Sequence, residues 1–442
     1  KLPKKWCSEW NGFLGMFNIN EYVNLTSSPR NVTATIYNIS GTPMSSTNVP
    51  VLGGAQTDFL VHDLPGWIPD SYGKICSEFS SGSSGDIDGR MVYYKPNATG
   101  YDFAFAMPYE SGLTGSQFTT FNTYQPALGP FSANNVVTNW IQVTNLSESP
   151  QTGSLIYYGQ DGKVLATDSN VSLPAEGRRD FSAHQFGANL VGMVEWRPVN
   201  PDVKFVMRNT RYYYDNFILS NSFDSAMQLE GVRGNGELLS VPLDGRGQTA
   251  VLEVANTRDE PVTVNVIFYS GNGAPLSDQT FSLPARGSVH FIADGLLGGS
   301  VGSATIKGDK VESILAVGMH YGRTADLGIR FVYGIIAKQP LGTITRSSYN
   351  TFLGQGCDLL LANPTSTDGE ASIGMVRLDG SSVISNVKVP VPAKNSVAFD
   401  LCSNETANQY GVVTVSGQKN RLFSTVVRKG KNDDYRFPTP VR

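Results

Sequence analysis

Four histidines, His62, His184, His290 and His320, are the side chains of this 442-residue chain that ordinarily titrate near neutral pH, so acid–base or metal chemistry would have to start from them. Their spacing argues against it. His62 and His184 each follow a Phe by three positions (Phe59 and Phe181) and so occupy one loop of a repeated unit. His290 directly precedes Phe291, and His320 sits in the alternating run Met319-His320-Tyr321. None lies near a Gly-x-Ser-x-Gly elbow or a His-Glu-x-x-His pair, and the P-loop and dinucleotide fingerprints are missing from the chain. Asp86-Ile87-Asp88-Gly89 resembles the opening of a calcium loop but lacks the later ligand positions and the closing Glu, so it reads as a turn. No catalytic residue, metal ligand or cofactor site is expected, and the chain reads as non-enzymatic. A carboxylate pair assembled from distant strands would leave no trace in the spacing.

Recognition chemistry is better represented. Adjacent residues of a strand point to opposite faces, so the run Tyr212-Tyr213-Tyr214 should turn at least one ring outward, where it could stack on a sugar or a flat protein surface. Tyr93-Tyr94 and Tyr157-Tyr158 are shorter versions. The four cysteines fall in the first and last quarters with no Cys-x-x-Cys spacing, which disfavours zinc. Cys7–Cys76 and Cys357–Cys402 are the simplest disulfides; each closes a loop for which chain entropy gives roughly 4 kcal/mol, and they imply an oxidising compartment. Sequons at Asn24, Asn31, Asn38, Asn97, Asn145, Asn170 and Asn404 permit glycosylation.

The elements that would position these residues show as a repeat. Four alternating strands end in Asn, at Asn24, Asn145, Asn256 and Asn363, and a Gly follows at a matching interval, at Gly41, Gly162, Gly273 and Gly380. Between the anchors runs an apolar strand such as Val264-Asn265-Val266-Ile267-Phe268-Tyr269. Asp161-Gly162, Asn272-Gly273 and Asp379-Gly380 supply the positive φ of a tight hairpin. Next come Leu173-Pro174-Ala175, Leu283-Pro284-Ala285 and Val391-Pro392-Ala393, each followed seven positions past the Pro by a Phe (Phe181, Phe291, Phe399) read as a core plug; Leu52 and Phe59 keep the spacing in the first copy. Gly-led strands then begin at Gly73, Gly192, Gly302 and Gly411, and two further strands close each copy, the last expected around Phe103, Phe217, Phe331 and Tyr435.

Six or seven short strands per copy describe an all-β protein of four tandem Ig-like antiparallel β-sandwich domains. The expected division is an N-terminal segment 1–17, sandwiches at 18–113, 136–230, 248–341 and 356–442, and packed joints at 114–135, 231–247 and 342–355. The joints carry aromatics such as Phe118, Phe121, Phe131 and Phe352 that a free linker would not expose.

The Leu-Pro-Ala, Phe and Gly-led pattern resembles the tandem Ig-like sandwiches of bacterial surface and fibre proteins. That resemblance implies a spacer, adhesin or filament subunit, secreted or at the cell surface, assembling with protein partners or itself through edge strands and joints. Laid end to end, four sandwiches would span on the order of 150 Å, and the Pro-interrupted final strand, Phe437 to Arg442, would leave an edge to be completed. A glycan-binding adhesin, or a non-catalytic module of a carbohydrate-active protein, is the alternative. The net charge of −4 forms no basic face, so nucleic acid is not expected. No apolar run reaches the ~18–20 residues of a membrane-spanning helix. A chain beginning at Lys1 is what removal of a signal peptide would leave.

Overall fold

The computed structural model describes residues 5–79, 85–123, 137–187, 189–214, 223–235, 238–323, 329–340, 344–418 and 421–440. The expected strands at Phe217 and the ring of Phe131 lie outside these residues, as does the side chain of Tyr214.

Among the described residues the strands form eight four-stranded antiparallel sheets, two per sandwich, and each copy holds eight strands rather than six or seven. The first comprises β1 (Lys5–Asn11), β2 (Phe17–Asn24), β3 (Arg30–Asn38), β4 (Pro43–Val51), β5 (Gln56–Leu60), β6 (Tyr72–Phe79), β7 (Ile87–Pro96) and β8 (Tyr101–Pro108). Its sheets run β1-β6-β3-β4 and β5-β2-β7-β8. The second has β9 (Gln117–Asn122), β10 (Val137–Asn145), β11 (Gln151–Gly159), β12 (Val164–Leu173), β13 (Arg178–Ser182), β14 (Val191–Pro198), β15 (Phe205–Tyr214) and β16 (Phe223–Glu230). The third has β17 (Leu239–Asp244), β18 (Gln248–Asn256), β19 (Val262–Tyr269), β20 (Pro275–Leu283), β21 (Ser288–Ile292), β22 (Val301–Gly308), β23 (Ile314–Arg323) and β24 (Ile329–Ile336). The fourth has β25 (Ile344–Asn350), β26 (Gly356–Ala362), β27 (Gly369–Arg377), β28 (Ser382–Val391), β29 (Ser396–Asp400), β30 (Tyr410–Gln418), β31 (Phe423–Lys429) and β32 (Arg436–Pro440). All four copies follow the same path. The stretches read as joints supply β9, β17 and β25, the opening strand of the sandwich that follows.

The recurrent residues have local causes. Each strand-ending Asn is buried and donates its amide to at least two backbone carbonyls: Asn145 Nδ2 to Ser149 O and Pro174 O, both 2.9 Å, and Asn363 Nδ2 to Thr367 O and Val391 O, both 2.9 Å, among others. The Asn thus ties the following loop to the end of the fourth strand, paying the hydrogen bonds that buried carbonyls need. Asn24 is held in the same way, so neither it nor Asn145 offers its amide for glycosylation. Gly73, Gly192, Gly302 and Gly411 lie against the carbonyl of the neighbouring strand, where an added Cβ would approach Tyr37 O to 2.0 Å and Val376 O to 2.0 Å. Phe59, Phe181, Phe291 and Phe399 are half-buried and pack on the rim of the cores instead of plugging them, because each stands on a short edge strand. Cys7–Cys76 and Cys357–Cys402 are both bonded, the first directly across paired strands β1 and β6.

The sandwiches do not extend end to end. Strand β8 adjoins β16, β16 adjoins β24, β24 adjoins β32, and β32 returns to β8, so the four copies close into a ring around their last strands. The expectation of a 150 Å array is corrected on that ground, as is that of an open terminal edge. Each last strand is a sheet edge, and the four edges cover one another at the centre. Cores merge across the seams: Tyr212, Ala226, Tyr435 and Phe437 join the first sandwich's core, and Leu360, Ala362, Phe423 and Val427 join the third's. The inner strands are therefore buried on both faces, and β15 runs through Arg208, Asn209, Thr210 and Arg211 with none of them exposed.

Paired charges occupy part of this polar interior. Between the second and third sandwiches Arg211 meets Glu253 at 3.3 Å, with Thr120 Oγ1 donating to the same carboxylate at 2.8 Å. Between the fourth and first, Arg428 meets Glu21 at 2.7 Å, with Ser348 Oγ at 3.1 Å. Glu21, Gln142, Glu253 and Leu360 all stand three residues before the recurrent Asn, so one position faces the preceding copy throughout the ring.

Around the periphery a hairpin clamps each seam but one. Arg178, Ser288 and Ser396 donate their amides to Ile39, Gln160 and Gly271 of the preceding copy at 3.0, 3.0 and 3.1 Å. Gly41, Gly162 and Gly273 lie against the turn they clamp, leaving 1.9–2.7 Å to it for a Cβ. Gly380 of the fourth hairpin faces open space.

Candidate functional site

The seam between the first and second sandwiches opens into a cleft of about 550 Å³. Residues at i, i+2 and i+4 of a strand share a face, so β10 turns Thr138, Trp140 and Gln142 into it together. Asp180 on β13 and Tyr212 on β15 flank them, because register places Asp180 across from Gln142 and Tyr212 across from Thr138. The first sandwich supplies Asn11 at the end of β1, Tyr72 at the start of β6, and Phe13 and Leu14 from the intervening 3-10 turn. That turn forms because Asn11 Oδ1 accepts the Phe13 amide at 2.9 Å and Leu14 takes a left-handed φ of 60°, which pushes Phe13 outward.

Two rings of the lining stay accessible, Phe13 at 39% and Trp140 at 37% exposure. Phe13 leans on Tyr72 at 5.7 Å, and Trp140 stands edge-on to His184 at 5.1 Å. Arg178 lies over the Tyr72 ring at 4.6 Å and grips Asp180 through Nε–Oδ1 and Nη2–Oδ2 contacts of 2.8 Å each. It also donates to Gly73 O at 2.9 Å, which ties the cleft to both sandwiches. Burial raises the Asp180 carboxyl above its ordinary range, and the Arg178 charge opposes that rise. His184 Nδ1 lies 3.0 Å from the Asn139 amide; burial lowers its pKa and favours the neutral ring.

Two rings of the tyrosine run lie in the interior. Tyr212 and Tyr213 are both buried, because the outer face of β15 meets the neighbouring copies instead of water. Tyr212 packs on Phe103 and Phe223 while its hydroxyl takes a hydrogen bond from Asn11 Nδ2 at 3.1 Å, so it reaches the cleft as part of the wall. Tyr213 packs edge-on against Tyr321. The other aromatics of the lining, Phe13, Tyr72, Trp140 and Phe223, come from two copies, and no local sequence pattern joins them.

The remaining sequence candidates are structural. Asp86 pairs with Arg30 and Asp88 with Arg90, and no cluster of three or more metal-ligating side chains occurs among the described residues. His320 accepts the Asp244 amide on Nε2 at 3.0 Å and stacks on Tyr333 at 4.5 Å, with burial pushing its pKa down to about 4. No helix among the described residues is long and apolar enough to cross a membrane.

No protein-family model matches this chain, and no curated protein matches it. Among solved structures it is similar to a calcium-binding mutant of Bacteroides uniformis beta-glucuronidase 2, at 14% identity over 55% of this chain and 27% of that one, with a TM-score of 0.12. It is also similar to a GH2 beta-galacturonidase from Eisenbergiella tayi bound to glycerol, at 17% identity over 54% and 36% of the two chains, TM-score 0.13. A third is the FMN-binding beta-glucuronidase from Facaelibacterium prausnitzii L2-6, at 10% identity over 75% and 40%, TM-score 0.13. This chain thus matches about a quarter to two fifths of those proteins' length, and likenesses with such TM-scores carry no functional argument.

The cleft's described lining holds one carboxylate, Asp180, already committed to Arg178. Accessible rings beside amide and carboxylate groups are suited to binding: a flat apolar face with a few convergent polar atoms is how small-ligand clefts combine affinity with orientation.

Proposed function

We propose that this protein is a secreted, non-enzymatic glycan-binding protein, in which the ring of sandwiches is a rigid frame for the cleft between its first two copies. The observation that carries this reading is the lining itself. Phe13 and Trp140 present accessible rings to the apolar C–H face of a pyranose, while Asn11, Gln142 and Asp180 lie within the same cleft to meet its hydroxyls. Most of the lining stands on paired strands, and such positions are more rigid than loops, so little ordering entropy opposes binding. The two disulfides support an oxidising, extracellular setting. The closed ring leaves the spacer and filament reading without the extended shape and open central edge on which it depended.

Screening the protein on an array of neutral, acidic and amino oligosaccharides tests the proposal. Binding is expected, with a loss of about five- to thirtyfold in Trp140→Ala and Phe13→Ala, since stacking contacts contribute on the order of 1–2 kcal/mol each. An array without binding, or binding that both variants leave unchanged, would overturn it.

A further inference from the structure

The seam that closes the ring, between the fourth and first sandwiches, repeats the architecture of the cleft. Asn350-Thr351-Phe352-Leu353-Gly354 matches Asn11-Gly12-Phe13-Leu14-Gly15. Asn350 Oδ1 accepts the Phe352 amide at 2.7 Å, and Leu353 takes a φ of 57°. Phe352 is thrown outward to 40% exposure, as Phe13 is to 39%. It leans on Tyr410 at 5.5 Å, as Phe13 leans on Tyr72. Tyr410 opens β30 across from Asn350, as Tyr72 opens β6 across from Asn11.

The facing wall corresponds too. Asp58 on β5 occupies the position of Asp180 on β13, two residues into the strand. His62 Nδ1 meets the Asn18 amide at 3.2 Å, as His184 meets Asn139. Phe17, Ile19 and Glu21 share one face of β2 where β10 has Thr138, Trp140 and Gln142, and Phe17, 38% exposed, stacks on His62 at 5.0 Å. The other two seams lack this set: His290 and Ala398 replace the Asp, and Asp244-Gly245-Arg246-Gly247 follows β17 where the Phe-Leu-Gly turn would be.

Besides the changes on β2, one substitution alters the surroundings of the Asp. The residue two before the Asp is Arg178 at the first seam and Gln56 at the closing seam, so Asp58 receives a hydrogen bond from Gln56 Nε2 at 2.8 Å and forms no ion pair among the described residues. The charged groups around it are Glu21 on β2, Asp88 and Arg90 on β7, and Arg428 on β31, with Tyr410 facing it from β30. Glu21 is committed to Arg428 and Ser348, and Asp88 to Arg90.

We propose that the closing seam is a second glycan cleft, taking an N-acetylated sugar against Phe352, Tyr410 and Phe17, with the Asp58 carboxyl donating its proton to the acetamido carbonyl. This rests on the glycan-binding reading of the first cleft. A carboxyl without a cationic partner, beside a second carboxylate, is kept in its acid form, and burial with Glu21 pushes Asp58 up to about 8. A protonated carboxyl can donate to a carbonyl oxygen, whereas both oxygens of Asp180 already accept from Arg178.

Calorimetric titration with the hexasaccharide of N-acetylglucosamine tests it. Two equivalents are expected at pH 7, falling to one in Phe352→Ala or Phe17→Ser and, separately, to one in Trp140→Ala. At pH 9.5 wild type should keep one equivalent, and Asp58→Asn, whose amide still donates, should restore two. One equivalent at pH 7, abolished by Trp140→Ala and untouched by Phe352→Ala, would overturn the second cleft while sparing the first. An absence of hexasaccharide binding would overturn the second cleft as well, and the array screen then decides separately whether the first takes other glycans.

Discussion

Arg428 donates to Glu21 across 2.7 Å although 407 residues separate them along the chain. This contact joins β31 to β2 and closes the ring. Its counterpart, Arg211 with Glu253, fastens the opposite seam, and there the Arg211 charge holds Glu253 down at about 2 against the effect of burial. Removing one partner leaves the other buried and unpaired, which costs about 3–5 kcal/mol, whereas replacing both with apolar side chains is often close to neutral. The chain already shows the apolar solution, since Leu360 stands where Glu253 does. Glu253→Gln is therefore expected to lose about 3–5 kcal/mol in urea denaturation, and Glu253→Leu with Arg211→Met to recover most of it.

The closed ring has a size that solution scattering can read. A compact 442-residue body should have a radius of gyration of about 22 Å, and an end-to-end array roughly twice that. We expect the smaller value.

Glycine substitutions separate the clamp from the turn. Gly162 and Gly380 occupy matching hairpins with φ of 79° and 81°, so Ala at either meets a similar backbone penalty of about 1–2 kcal/mol. A Cβ at Gly162 would also stand 2.0 Å from Ala285 O in the next sandwich, while Gly380 faces open space. Gly162→Ala is expected to cost about 1–3 kcal/mol more than Gly380→Ala in thermal or chemical denaturation. Equal losses would show that the hairpins bear no load between copies.

Asp58 sets a pH dependence of stability. Its folded pKa of about 8 lies above the ordinary 3.8, so the folded protein holds the proton more tightly than the unfolded chain. Whatever stability the group confers is fully present below pH 4 and is lost as the pH rises through about 8. Asp58→Asn should be neutral at pH 4 and stabilising by about 1–3 kcal/mol at pH 8.5, a fraction of the full shift because water reaches part of the group. Melting curves at the two pH values check this.

Much of the fold was legible because its causes are local. Asn145 recurs because a buried strand end needs its amide, Gly162 because a tight hairpin needs positive φ, and the cysteine spacing left one simple pairing. The opening strands were harder to see. Gln117-Phe118-Thr119-Thr120-Phe121-Asn122 is polar at positions that prove buried, because Thr120 and Asn122 hydrogen-bond Glu253 of the next sandwich. Tyr212 and Tyr213 are buried for a related reason: outward from their own sandwich meant inward to the ring. A usable signal was present, since Glu253 interrupts an otherwise largely apolar run, Ala250 to Ala255, and charge in such a place calls for a partner.

Sequence alone determined that four similar antiparallel sandwiches would form, for hydrophobic alternation and turn chemistry act within a few residues of the chain. Tertiary structure alone decided that they close on themselves and that the first seam opens into an aromatic cleft. Those features join residues as remote as Asn11 with Tyr212 and Glu21 with Arg428, and the pairing depends on which faces remain apolar or charged after each sandwich has folded.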